Sequence, residues 1–325
     1  MAIKPTSELL KMLNQGVARE LQVSVQYMLQ HFKMERILRK VRKENILLEG
    51  TTYESLGGIL KQMAIEEMKH LADIMERIYY LGGKATTKSD KPQIGENLKD
   101  FMEFGYKAEE EALELYRKVI TEAEKIGDWE TAEMFKEIYR QEEEHLYTFE
   151  EYLTVDITEP EGPEDVPTDS VKIYTDDYFE LLNKAVAAEI SAIVQYTNQH
   201  EKASKLALRK KEKPMEVIKS KNKASVISDL LKEVFMKEMD HLEMISERIY
   251  LLGGEAVYNP YPLPVIGETV DDFLRLDKKA EDYAIVLYRQ IVAEATKLGD
   301  TVTKRMFESI LEDEDQHYWM FDDYF

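Results

Sequence analysis

The chain has 325 residues, 44% of them hydrophobic and 33% charged, enough for two ordinary domains with cores of their own. It contains no cysteine, which excludes disulfides, zinc ribbons, thiolate-held clusters and cysteine nucleophiles. A formal charge of −21 argues against nucleic acid as a partner. The start has no signal-peptide layout and no long uncharged apolar run follows, so a cytoplasmic protein without a membrane anchor is expected.

In chain order, helical periodicity predicts helix A over 7–42 and helix B over 54–81, stopped by Gly82 and Gly83. Helix C is predicted over 97–126 and closed by Gly127, after which Asp128 caps helix D, which reaches about residue 153. The short C–D turn makes those helices antiparallel neighbours, whereas some 15 residues between B and C suffice to cross the bundle end to end. An acidic, proline-bearing stretch, 156–172, reads as a linker. Beyond it the unit recurs. EMKHLADIMERIYYLGGKA (67–85) and EMDHLEMISERIYLLGGEA (238–256) agree at 13 of 19 positions, and 107–152 pairs with 279–324 without a gap. A period near 170 residues means a duplicated domain, not a solenoid. The expected architecture is all-α: two tandem four-helix bundles, 1–155 and 173–325, each with a long B–C crossover. Basic islands at 33–44 and 202–223 interrupt the acidic chain and read as solvated loop faces.

The informative feature is what interrupts the apolar seam of each helix. Stepping three and four residues alternately, helix A reads Leu13, Val17, Glu20, Ser24, Tyr27, His31, and helix B reads Leu60, Met63, Glu67, His70, Ile74. Helix C gives Met102, Gly105, Glu109, Ala112, Tyr116, and helix D gives Phe135, Ile138, Glu142, His145, Phe149. The second copy places Glu189, Tyr196 and His200 on its first seam, Glu238 and His241 on its second, Asp277 and Glu281 on its third, and Glu314 and His317 on its fourth. One Glu-x-x-His on a helix is usually a solvated pair; six positions agreeing in both copies are not. Four carboxylates buried together would each cost several kcal/mol or take up protons. Two divalent cations would cancel their charge, and mixed carboxylate–imidazole ligation suits iron or manganese, with zinc also open. His31 and His200 sit eleven residues past the helix A glutamate, roughly 16 Å along the axis, and are expected as satisfied core histidines.

These motifs resemble those of bacterioferritin and its ferritin-like relatives: LNQGVAREL with Tyr27 seven residues after Glu20, the run EEMKHLADIMERIYYLGG, IGEN or IGET opening helix C, and EEEH or EDQH in helix D. The resemblance implies that Glu20 and His70 bind one metal and Glu109 and His145 the other, with Glu67 and Glu142 bridging. In the second copy it implies Glu189 with His241, Glu281 with His317, and Glu238 and Glu314 bridging. Tyr27 and Tyr196 match a tyrosine beside the family's di-iron centre. The implied cofactor is iron, two per bundle and four per chain. The implied chemistry is oxidation of Fe(II) by O2 or H2O2. A dimanganese catalase or di-metal oxidase, and non-catalytic iron or haem storage, stay open alternatives. Met68 and Met239 match the family's axial ligands to haem b. Neither copy has a fifth helix after helix D, and the A–B connection is longer than in bacterioferritin. A homo-oligomer such as a dimer is therefore expected in place of a closed cage.

Overall fold

The computed structural model describes residues 5–42, 52–154, 174–210 and 223–324, and all regular structure among them is helical. The first unit contains α1 (Ser7–Arg42), α2 (Thr52–Tyr80), α3 (Leu98–Lys125) and α4 (Trp129–Thr154). The second contains α5 (Asp176–Lys210), α6 (Lys223–Leu252), α7 (Val270–Leu298) and α8 (Thr301–Asp322). The chain divides into compact units Met1–Val166 and Pro167–Phe325. The predicted linker, and most of the basic island in the second copy, lie outside the described residues. No described helix is long and apolar enough to cross a membrane.

Each helix ends where its local chemistry requires. Asn97 accepts the Asp100 amide at 2.9 Å, and Thr269 with Asp272 forms a reciprocal capping box at the start of α7. Gly127 (φ 76°) and Gly299 (φ 71°) take the left-handed conformation that closes the preceding helix. The next residue in each case, Asp128 or Asp300, caps the helix that follows through the amide of Thr131 or Thr303. The same aspartates anchor an arginine from the second helix of the unit. Arg248 reaches Asp300 at 2.7 Å and Thr303 at 2.8 Å, and Arg77 binds Asp128 and Thr131 alike.

The long crossover between the second and third helices carries backbone groups that no helix can satisfy, so side chains of the first helix do so. Gln26 accepts from the Gln93 amide at 2.9 Å, Gln30 donates to the Ile94 carbonyl at 3.0 Å, and Asn14 receives the Thr86 amide at 2.6 Å. In the second unit Gln195, Gln199 and Asn183 perform the same service for Val265, Ile266 and Val257.

Every described bundle helix contributes apolar side chains on both sides of a polar layer. In the second unit one cluster includes Leu182, Val186, Ile245, Ile249, Tyr288 and Phe307, and the other Tyr196, Leu231, Val234, Phe273, Leu274 and Phe321. The seam glutamates fall between them in sequence on every helix. His31 and His200 lie outside that layer. Their Nδ1 atoms are each 2.7 Å from a backbone carbonyl, of Gly57 and Ser228 respectively, so both rings are satisfied; His31 is buried as a core histidine, whereas His200 is half-buried.

Candidate metal centres

In the first bundle Glu20 comes from α1, Glu67 and His70 from α2, Glu109 from α3, and Glu142 and His145 from α4, and all six are buried. Their ligand atoms form two overlapping groups. One is Glu20, Glu67, His70 and Glu142, the other Glu67, Glu109, Glu142 and His145, with the atoms of each group within 4.8 Å of one another. Glu67 and Glu142 belong to both. The second bundle repeats this with Glu189, Glu238, His241 and Glu314, and with Glu238, Glu281, Glu314 and His317. The spacing i, i+3 sets each Glu and His of a pair on one helical face, which is why a single helix serves both groups. All twelve Glu and His residues singled out in the sequence therefore converge on two clusters.

The imidazoles point Nδ1 inward. His70 Nδ1 lies 3.0 Å from Glu67, 3.1 Å from Glu142 and 3.7 Å from Glu20, and His145 Nδ1 lies 2.9 Å from Glu67 and 3.2 Å from Glu142. The Nε2 atoms face outward to partners that fix the rings. His70 meets Gln141 at 2.6 Å, His145 meets Glu66 at 2.9 Å, and His241 meets Asp313 at 3.2 Å. Tyrosines cross the layer. Tyr27 donates to Glu109, Tyr196 to Glu281, and Tyr288 to Glu189.

Charge crowding shows in the protonation of these groups. Burial, reinforced by neighbouring carboxylates, pushes Glu20, Glu109, Glu189 and Glu281 well above the ordinary carboxylate range. Burial works the same way on Glu67 and Glu314, but hydrogen bonds from the histidines outweigh it and hold both well below that range. Burial alone would discharge the histidines. The adjacent carboxylates of Glu142 and Glu67 instead raise His145 to about 12, those of Glu238 and Glu314 raise His241 to about 12, and His317 rises to about 9. The protein without cations thus holds its acids together with protons.

The donor set fits divalent cations on an independent ground. Glu20 Oε2, Glu67 Oε1 and Glu142 Oε1 in the first bundle, and Glu238 Oε1 and Glu314 Oε1 in the second, are buried and accept no hydrogen bond of acceptable geometry. Such lone pairs are costly unless a cation takes them.

Met68 and Met239 stand apart from both clusters and are half-buried; Met239 packs on the apolar cluster containing Leu231 and Phe235. Several site residues escaped the sequence reading: Gln141, Glu66 and Asp313 behind the histidines, and Tyr288 on Glu189. The first three each precede a ligand glutamate by one residue, which is the signal that could have found them. Asp277 sits on the predicted seam but outside the clusters. It is fully buried, takes 2.9 Å from Gln195 Nε2, and is pushed well above its usual range by burial.

The ferritin-like domain model matches residues 10–156 and 215–325. Bacterioferritin of Desulfovibrio desulfuricans is 33% identical over 138 residues, which is 42% of this chain and 68% of that protein. Bacterioferritin of Rhodobacter capsulatus is 30% identical over 138 residues, covering 42% and 76%. An X-ray structure of the Desulfovibrio desulfuricans protein, which describes its diiron site in different catalytic states, aligns with a TM-score of 0.39 and 31% identity over 45% of this chain and 77% of that chain.

Proposed function

This chain belongs to the ferritin-like domain family, and from that premise we propose that each bundle is an iron-oxidising centre that takes up two Fe(II) side by side and passes their electrons to O2 or H2O2. The observation that carries the reading is the sharing of Glu67 and Glu142, and of Glu238 and Glu314, by two ligand groups in one bundle. Carboxylates common to both groups hold two ions close enough to act on one oxidant, and such a pair supplies two electrons together.

The surrounding residues have distinct tasks. Glu20 with His70, and Glu109 with His145, complete the two ends of the first site; Glu189 with His241, and Glu281 with His317, complete those of the second. Four carboxylates offset the four positive charges of two divalent ions, and the histidines give up their protons on ligation. Gln141, Glu66 and Asp313 keep the imidazoles turned inward. Tyr27, Tyr196 and Tyr288 orient the end carboxylates through their hydroxyls. The balance is two Fe(II) to two Fe(III), with O2 and two protons becoming H2O2, or H2O2 and two protons becoming two waters.

The test is metal content and oxidant consumption on protein purified without chelators. Four iron atoms per chain, and one O2 or H2O2 consumed per two Fe(II), are expected. Four manganese atoms with peroxide loss in the absence of iron would replace this reading with the catalase one. Failure to take up Fe(II), or uptake without oxidation, ends it. We place the protein in the cytoplasm as a homo-oligomer. Haem b on Met68 and Met239 is tested in the same spectrum by a Soret band that disappears when both are changed to Leu.

A further inference from the structure

The two bundles share their ligands but not the wall that separates those ligands from solvent. In the second bundle a cavity of about 320 Å³ runs from the surface, between α5, α7 and crossover residues 261–265, down to Glu189, Glu238, Glu281 and Glu314. Its mouth is rimmed by the exposed apolar side chains of Tyr261, Leu263 and Val265. Its inner wall includes Ala188, Ala192, Ala280 and Ala284, small residues that leave room between the two helices.

In the first bundle a long charged side chain stands at the corresponding position. Counting from the helix A glutamate, the position of Ala188 is held by Arg19, which is buried and reaches across from α1 to α3 to pair with Glu111 at 3.3 Å. Glu111 in turn stands where the second bundle has Tyr283, another residue of the cavity wall. The crossovers diverge in the same sense. Asp90 and Tyr261 both donate their amide to the first helix of their bundle, at Ala18 and Ala187, and the Gln93 and Val265 amides donate to the corresponding glutamines, Gln26 and Gln195. Between those anchor points the first bundle has Lys91 and Pro92, and the second has Pro262, Leu263 and Pro264. One crossover is charged; the other is apolar and one residue longer.

We propose that this cavity is a binding site for a small, neutral, largely apolar organic molecule, seated against the carboxylate cluster of the second bundle, and that Arg19 closes the equivalent site in the first. Above the carboxylates, the polar groups of the wall are already committed and offer such a ligand no competition. Ser191 Oγ donates to the Pro262 carbonyl at 2.6 Å, Gln195 is bonded at both ends to Asp277 and Val265, and the Tyr196 hydroxyl is bonded to Glu281. Besides the four carboxylates at its floor, which two divalent cations would take on the reading proposed above, the cavity offers a charged ligand only exposed Lys279 at the rim. The volume lies at the lower end of the range for small-molecule sites, which are mostly apolar with few polar groups.

The probe is fluorobenzene, titrated into the full chain and followed by ¹⁹F NMR line broadening and calorimetry, with 4-fluorobenzoate and 4-fluorobenzylamine as charged comparators. Metal content is measured on the same samples, so binding is scored whether or not the cluster oxidises iron. Saturable binding of fluorobenzene at one site per chain is expected, at least tenfold tighter than either ion. Ala188→Arg, and the milder Ala188→Leu, should weaken it at least tenfold while helicity by circular dichroism is kept. Arg19→Ala should raise the count from one to two. Absence of a saturable site in the wild-type chain, equal or tighter binding of a charged comparator, or unchanged binding in a folded Ala188→Leu chain overturns the assignment. A count that stays at one in Arg19→Ala overturns the role of Arg19.

Discussion

Removing one shared carboxylate should empty a whole centre, whereas removing an end carboxylate should cost one ion. Glu67→Ala takes ligand atoms from both groups of the first bundle, but Glu20→Ala takes them from one. Metal content should therefore fall from four per chain to two in Glu67→Ala and to three in Glu20→Ala. Stability should follow. An ion present at a hundred times its dissociation constant contributes about 2.7 kcal/mol, so two contribute about 5 kcal/mol. In a bundle of this size that moves the thermal midpoint by about 10–20 °C. Without metal the effect should be much smaller, because two losses and one gain oppose each other. His145 loses an ion-pair contact at 2.9 Å, and His70 loses a hydrogen bond at 3.0 Å worth roughly 1.5–3 kcal/mol as a charged one. Against this, the like charges of the remaining acids are relieved. Differential scanning calorimetry with and without metal, beside elemental analysis, reads both quantities. A Glu67→Ala protein that keeps two ions in its first bundle, or loses one as Glu20→Ala does, would refute the shared-ligand geometry.

Three further outcomes are expected. Metal-free protein should lose stability as pH rises from about 6.5 to 9, because His317 has its folded value raised to about 9 and its contribution is complete only below its unfolded value. Metal affinity should rise over the same range as the histidine protons leave, and a metal-free midpoint that climbs between pH 7 and 9 contradicts the sign. Asp300→Ala removes the cap of α8, the partner of Arg248 and the acceptor of Tyr178. It should cost about 2–4 kcal/mol in urea unfolding, and a loss under about 1 kcal/mol would show that the arginine latch is dispensable. Gly105→Ala should destabilise the first bundle by about 1–3 kcal/mol, since a Cβ there would lie 2.4 Å from the Phe149 ring. An unchanged thermal midpoint would mean that the ring turns aside freely.

The layer of buried glutamates and histidines was legible because a seam position admits few exceptions. A glutamate at Glu20, Glu67, Glu109 or Glu142 breaks a stripe that is otherwise mostly apolar, and the copy repeats the break. The helix ends were legible for a similar reason: Gly127 followed by Asp128 is a stop and a start in two letters. What stayed hidden lies one helical step away from the seam. Gln141, Glu66 and Asp313 look like the many solvated acids and amides of this acidic chain, and only the turn of each imidazole gives them a task. Gln26 and Gln30 lie off the apolar seam of the first helix, yet both are buried, because the crossover covers that face and needs their amides. The wall difference between the bundles was in the letters, as Arg19 against Ala188, but only the helix packing gives it a consequence.

The amide clamps along the first helix also bear on the order in which a nascent chain acquires its parts. Asn14, Gln26 and Gln30 already stand ready when residues 86–94 emerge, so the crossover can settle before α3 and α4 have been made. Glu142 and His145 come last. At roughly 5–20 residues per second, several seconds of synthesis separate the end of the crossover from His145. During that interval the ribosome carries a half-built scaffold with Glu20, Glu67 and His70 but without the pair that completes both ligand groups.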